Sequence, residues 1–303
     1  MTNNRQRPLY PPFWTWWLPS TLIGLVRAPL YGTIALCALF PLYAKVAAVW
    51  PYSDRMWFIV GTMLIHSVLY VLLNGFFYLC DAYGYLQKYK LTRTSRMMPT
   101  KELIRETLRQ GFVGQVVTAP VTLWVIYTYA LSGAMPLPTD DLPDLLTIFR
   151  HLALAAAFNE ITFYFGHRIF HEIPWLYRSV HKQHHQFVGT IGFAAEYAHP
   201  VEQILCNQGP TVGYCFYMAV HPLIWFVWLA WRLINTYETH SGFCFRGSWP
   251  QKYLGLTNSL TCEHHDFHHT VNKGAYGSVR MDWLFGSLDS FLLRETREKG
   301  SMY

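Results

Sequence analysis

Apolar residues along this chain gather in long unbroken runs, not in the alternation of half-buried strands or the one-sided stripe of a surface helix. Ala28 to Ala44 holds 17 residues without Asp, Glu, Lys or Arg, Trp57 to Cys80 holds 24, and Phe112 to Thr139 holds 28. About 20 apolar residues cross a bilayer, so the second and third runs predict spans, and the first reaches that length by snorkelling Arg27 and Lys45. A fourth run, Leu145 to Gly166, is interrupted by Arg150 and Glu160. A fifth, Gln203 to Trp231, has 29 uncharged residues broken by Pro210 and Pro222. That is too short for two crossings, so it predicts a shallow re-entrant hairpin with His221-Pro222 near its tip. The expected fold is all-α: about four spans plus the hairpin, divided into an N-terminal membrane region (1–144) and a catalytic region (145–303).

Composition fits this reading. Of 303 residues 52% are hydrophobic and 14% charged, against roughly 25% charged in soluble proteins. That excludes a disordered chain and argues against a soluble globule. The net charge of +6 is a modest excess, better read as membrane topology than as a nucleic-acid surface. Lys88, Lys90, Arg93, Arg96, Lys101, Arg105 and Arg109 make the loop between spans two and three cytoplasmic, with Arg5 and Arg7 on the same side. Asp140, Asp141 and Asp144 suit the opposite face. The six cysteines form no C-x-x-C pair and read as reduced thiols. The aromatic run Trp225-Phe-Val-Trp228-Leu-Ala-Trp231 suits interfacial anchoring or the lining of a lateral lipid entrance.

Histidine is the exception in this apolar chain. Of 14 histidines, eight form three tight clusters: His167 and His171; His181, His184 and His185; His265, His268 and His269. Helical neighbours lie three or four residues apart, so each cluster is expected to set its imidazoles on one face. Eight buried imidazoles without a metal would leave many polar nitrogens unpaired, and eight ligands exceed the four of one tetrahedral zinc. The spacing therefore predicts two metal ions, without choosing the metal. At 100° per residue, Glu160, Tyr164, His167 and His171 share one helical face. Glu160, and likewise Glu263 and Asp266 in the third cluster, are expected to orient an imidazole by accepting its second N–H. His66, His151 and His221 read as satisfied core residues. His264 stands one position outside the third cluster's spacing.

The His-x3-His, His-x2-His-His and His-x2-His-His boxes behind several membrane spans resemble the fatty acid hydroxylase and sterol desaturase superfamily. The resemblance runs from about Glu160 to Leu292. Within it, Gly192-Phe-Ala-Ala-Glu196-Tyr-Ala-His199-Pro-Val-Glu202, Thr239-His240-Ser-Gly-Phe and Met281-Asp-Trp-Leu-Phe-Gly-Ser resemble the C-4 methylsterol oxidase pattern. The resemblance implies a di-iron oxygenase of the endoplasmic reticulum membrane with its histidines toward the cytoplasm. Its iron ligands would be His167, His171, His181, His184, His185, His265, His268 and His269, with His240 as a ninth. Glu196, His199, Glu202 and His264 would support the metal or face substrate. It further implies O2-dependent oxidation of a sterol C-4 methyl group through alcohol and aldehyde to acid, with electrons from NAD(P)H through cytochrome b5 and its reductase. Other enzymes of sterol C-4 demethylation would be neighbours. The basic stretch Lys88–Arg109 offers a dock for an acidic partner. The chain departs from the pattern in its end, Glu298-Lys-Gly-Ser-Met-Tyr303, which lacks a dilysine retrieval signal, and in His264, where an aromatic residue is common. Related chemistry on a fatty acyl chain, another sterol position or an alkylglycerol is the nearest alternative, and a metal transporter or sensor the distant one.

Overall fold

The computed structural model describes residues 13–256 and 259–293; Arg5, Arg7 and the chain's last residues lie outside them. Every regular element among the described residues is helical. Three helices are long and apolar enough to cross a membrane. They are α1 (Phe13–Ala48), whose spanning part is Val26–Ala48; α2 (Asp54–Ala82); and α3 (101–131), within the candidate span Ser95–Leu131. Only 22%, 22% and 11% of their apolar windows is buried within the protein, which leaves the rest to be covered by lipid. The third span ends eight residues earlier than the apolar run predicts, because Gly133 takes a left-handed φ of 77° and turns the chain. Two short π-helical stretches, Gly114–Thr118 and Tyr127–Leu131, interrupt α3.

The fourth apolar run forms α4 (Leu145–Glu172), opened by an Asp144 side chain that accepts from Thr147 N at 3.0 Å. It is 28 residues long, enough to span, but carries Arg150, Glu160 and Arg168. After the short α5 (Pro174–Ser179), the chain passes through two 3₁₀ segments, His181–Gln186 and Gly192–Glu196. The fifth run is a helical hairpin, as its prolines predict. Helix α6 (200–217) turns at residues 218–221 into α7 (Pro222–His240). His221 sits at that tip, where its Nδ1 accepts from Leu223 N at 3.2 Å and Pro222 begins the helix. Helix α8 (Ser259–Val271) and the short α9 (Val279–Leu284) follow.

Helix α7 is the central post. It is apolar around its circumference because α1, α2, α4 and α8 all pack on it. Trp225 and Trp228 are therefore core residues, 1% and 2% exposed, not an interfacial belt or a lipid entrance. Their indole N–H groups are satisfied inside, Trp225 by Thr62 Oγ1 at 2.9 Å and Trp228 by the Thr211 carbonyl at 2.8 Å. Trp231 stacks on Tyr31 and lies beneath Arg27. Gly61 of α2 touches α7 so closely that an added Cβ would overlap the Phe226 ring. Gly61→Ala should cost about 1–3 kcal/mol by overpacking, read as a lower melting temperature in detergent with the metal content per folded chain unchanged.

Candidate metal centre

Four segments bring the histidines together: the last turns of α4 (His167, His171), the 3₁₀ segment His181–Gln186, the end of α7 (His240) and α8 (His265, His268, His269). They do not meet box by box. His167, His171, His181, His185 and His268 form one group, and His184, His240, His265 and His269 a second, each with its ligand atoms within 4.8 Å of one another. Each i,i+4 pair shares one group, while His184 and His268, three residues into their boxes, cross to the other. The expectation that each cluster serves as one face is corrected: two adjoining groups share the second and third boxes.

For six of the nine histidines an outward partner of Nδ1 fixes which nitrogen faces inward. The Nδ1 atoms of His167, His184, His240, His268 and His269 donate to the carbonyls of Tyr276 (2.5 Å), Tyr197 (3.2 Å), Thr236 (2.9 Å), Gly274 (2.7 Å) and Phe187 (2.8 Å). Nδ1 of His181 lies 2.8 Å from Glu202 Oε1. A neutral imidazole with its proton on Nδ1 carries a lone pair on Nε2. These Nε2 atoms crowd together: His167 to His181 at 3.0 Å, His181 to His171 at 2.7 Å, His268 to His185 at 3.2 Å, His265 to His240 at 2.8 Å and His269 to His265 at 3.1 Å. His167 and His181 both commit Nδ1 outward and so set two lone pairs face to face, and burial drives the imidazoles neutral. It pushes His184 down to about 4 and His268 to about 3, and holds His185 and His269 well below the ordinary value.

Such a cage of convergent lone pairs fits a cation. Donors at about 2.1 Å from a common ion and at right angles stand about 3.0 Å apart, the spacing found here. A five-nitrogen and a four-nitrogen group therefore suit two metal ions, and neither fills a six-coordinate shell.

The supporting residues differ in part from the expected set. Glu160 touches no histidine. It accepts from Arg280 at 3.0 and 3.1 Å and from Ser278, because it stands seven residues before His167, about 10 Å along the helix. Tyr164 is fully buried and bonds Ser287 Oγ at 2.7 Å and Arg168 at 2.9 Å. Asp266 also turns away from the imidazoles, pairing with Arg93 Nη1 at 2.6 Å and Thr190 Oγ1 at 3.0 Å. With its side chain 8% exposed, Arg93 ties the basic loop to the metal helix and is not a docking charge. Glu263 pairs with Arg246 at 2.9 Å. His199 caps α6, accepting from Val201 N at 3.2 Å. His264 is buried against Phe291 and lies 3.7 Å from Asp282 Oδ2, outside both groups. Glu196 bonds Tyr237 and lies 3.2 Å from His66. His151 and His221 remain satisfied residues, on Tyr214 Oη at 3.1 Å and the Asp140 carbonyl at 3.2 Å.

One supporting residue is missing from the sequence-derived candidates. Asp282, wholly buried, accepts from the backbone N–H groups of Tyr276 and Gly277, both at 2.8 Å, and from Ser287 Oγ at 2.7 Å. That clamp shapes the 274–277 loop, whose carbonyls orient His268 and His167. Gly274, at φ 71°, is the loop's tight point, since a Cβ there would meet the Ser287 carbonyl at 2.7 Å. The signal available in the sequence was the Met281-Asp-Trp-Leu run, read as resemblance but without a role. Asp282→Ala strands two buried N–H groups at about 1–3 kcal/mol each; we expect a lower metal-to-chain ratio by elemental analysis, with helix content by circular dichroism retained.

Comparison with known proteins agrees with the site. A family model for fatty acid hydroxylases matches residues 152–287, which contain all nine clustered histidines. A very-long-chain aldehyde decarbonylase of Oryza sativa subsp. indica is 30% identical over 233 residues, covering 75% of this chain and 84% of its own length. Methylsterol monooxygenase 2-2 of Arabidopsis thaliana is 28% identical over 258 residues, covering 83% and 93%. No solved structure matches. With its histidine groups inside the matched region and relatives of this similarity along most of its length, the chain belongs to the fatty acid hydroxylase family of oxidoreductases.

Proposed function

We propose that this protein is an O2-dependent di-iron oxygenase that oxidises the C-4 methyl group of a sterol within the membrane. The observation that carries the reading is the pair of adjoining all-nitrogen groups whose convergent nitrogens suit two cations. The nine histidines His167, His171, His181, His184, His185, His240, His265, His268 and His269 would hold two iron ions, which supply the O2 reduction that an unactivated methyl requires. A methyl carbon with no acidic proton and no leaving group offers no start to acid–base or nucleophilic catalysis, which favours a redox metal over zinc.

The protein's own part is positional. Backbone carbonyls lock five imidazoles with Nε2 inward, and the buried Glu202 carboxylate holds His181 from behind. The Arg93–Asp266 pair joins α8 to the basic loop and to Thr190. Eight of the nine histidines are buried, and His171 is half-buried, so water is kept from the reacting centre.

The sterol substrate is supported by the relatives named as methylsterol monooxygenases and by the motifs around Glu196 and Met281. In this reading residues 145–303 form the catalytic region, α4 makes the fourth crossing and the 200–240 hairpin is re-entrant. The histidines then face the cytoplasm at the endoplasmic reticulum membrane, where electrons arrive from NAD(P)H through cytochrome b5. The relative named as an aldehyde decarbonylase favours a second reading, in which a very-long-chain aldehyde takes the sterol's place. Protein purified anaerobically, loaded with ferrous iron and given a reductant should consume O2 with a 4-methylsterol and yield its 4-hydroxymethyl product. Turnover of the very-long-chain aldehyde alone would select the second reading. His184→Ala should abolish turnover, and an active variant would remove the histidine groups from the chemistry.

A further inference from the structure

On the span side of the histidines lies a second polar cluster, which the metal groups do not use. His66 stands in the interior of α2 with its Nε2 3.2 Å from Glu196 Oε1, and its Nδ1 bonds the Gln115 side chain. Tyr237 donates its hydroxyl to the same Glu196 oxygen, and Ser67 donates to Gln115 at 3.1 Å. Gln115 belongs to the first π-helical stretch of α3, a helical irregularity common at functional sites. An ionisable pair held at depth in an apolar span is expensive and marks function.

The register places this cluster against the four-nitrogen group. Along α2, Asn74 meets Gly192, Tyr70 packs on Phe193 and Tyr237 with ring centroids 5.8 and 5.9 Å apart, and His66 meets Glu196. Segment 192–196 thus descends α2 by eight residues, about 12 Å. Helix α7 gives the same depth, since Tyr237 stands one turn, about 4.5 Å, before His240. Tyr197, next to Glu196, supplies the carbonyl that orients His184. The cluster is not sealed, because the His66 side chain is 27% exposed and that of Glu196 13%. A carboxylate offers about four acceptor directions; Tyr237 and His66 occupy two, both on Oε1.

We propose that Glu196, held by Tyr237 and His66, is the recognition site for a hydroxyl group on the lipid, accepting its hydrogen bond while the neighbouring carbon's methyl lies at the metal groups. This inference rests on the sterol reading above: the 3-hydroxyl and the C-4 methyl sit on adjacent ring carbons. A residue that holds one must lie close to what oxidises the other, and Glu196 is tied through Tyr237 to a point about 4.5 Å of helical rise from His240. A very-long-chain aldehyde carries no such hydroxyl, so the cluster favours the sterol class.

The test uses iron-loaded protein in detergent, measuring anaerobic equilibrium binding of a 4-methylsterol and its 3-deoxy analogue, then kcat and KM for both with O2. The wild type should prefer the hydroxylated sterol by at least about 100-fold in kcat/KM. Glu196→Gln and Tyr237→Phe should each shrink that preference at least about tenfold, mainly through binding and KM, with iron content unchanged. An undiminished preference in iron-replete Glu196→Gln overturns the inference and leaves the wild type's sterol turnover, and so the functional reading, standing. A wild type that oxidises neither compound overturns the sterol reading and this inference with it. Should Glu196→Gln fail to accumulate, Tyr237→Phe decides by the same criterion, since it removes one hydroxyl and no charge.

Discussion

Nine imidazoles gathered in two adjoining groups, eight of them with Nε2 about 3 Å from a neighbour's, set the constraint on which the rest of this protein depends. Where both rings commit Nδ1 outward, as in His167 and His181, the facing Nε2 lone pairs repel, and burial keeps the imidazoles neutral. The cage suits cations at its centre and has a shell outside that holds the rings. The shell is mostly backbone: five carbonyls from four different loop or helix-end positions accept the outward N–H groups. The irregular segments 187–197 and 274–277 present four of those carbonyls.

The membrane part answers a different demand. Spans α1 and α2 leave most of their apolar surface to lipid and use the remainder to grip α7, which ends at His240. The same post thus carries the core tryptophans, Tyr237 and one ligand to the four-nitrogen group. The basic loop after α2 folds back on the segment after His240, with Leu91 N donating to the Gly242 carbonyl at 2.9 Å and Cys244 N to Tyr89 O at 2.7 Å. Arg93 extends that loop to Asp266 on the metal helix. The two histidine groups are thus built at the ends of helices that pack on one another.

The helical class, the hairpin turn near His221 and eight of the nine grouped histidines were legible in the chain, because apolar run length and i,i+4 spacing are local signals; His240 came only through the family resemblance. What failed was longer in range. Helical-face counting put Glu160 beneath His167, but a shared face does not bridge 10 Å of axial rise, and Arg280, 120 residues away, claims the carboxylate. The residue that reaches an imidazole, Glu202, comes from a separate helix. Spacing also could not show that His184 and His268 leave their boxes, since that depends on two groups lying side by side. The tryptophan run was misplaced for a similar reason: only the surrounding helices reveal α7 as interior. His66 had the marks of a satisfied core residue, and its partner Glu196 lies 130 positions further along the chain.

The most direct test of the two-ion cage is X-ray absorption at the iron edge on anaerobically loaded protein, with iron and protein quantified in the same sample. The account predicts two ions per chain, each in a shell dominated by imidazole nitrogen at about 2.1 Å, with no sulfur. One ion per chain, or a shell built mainly from carboxylate oxygen or cysteine sulfur, would contradict it.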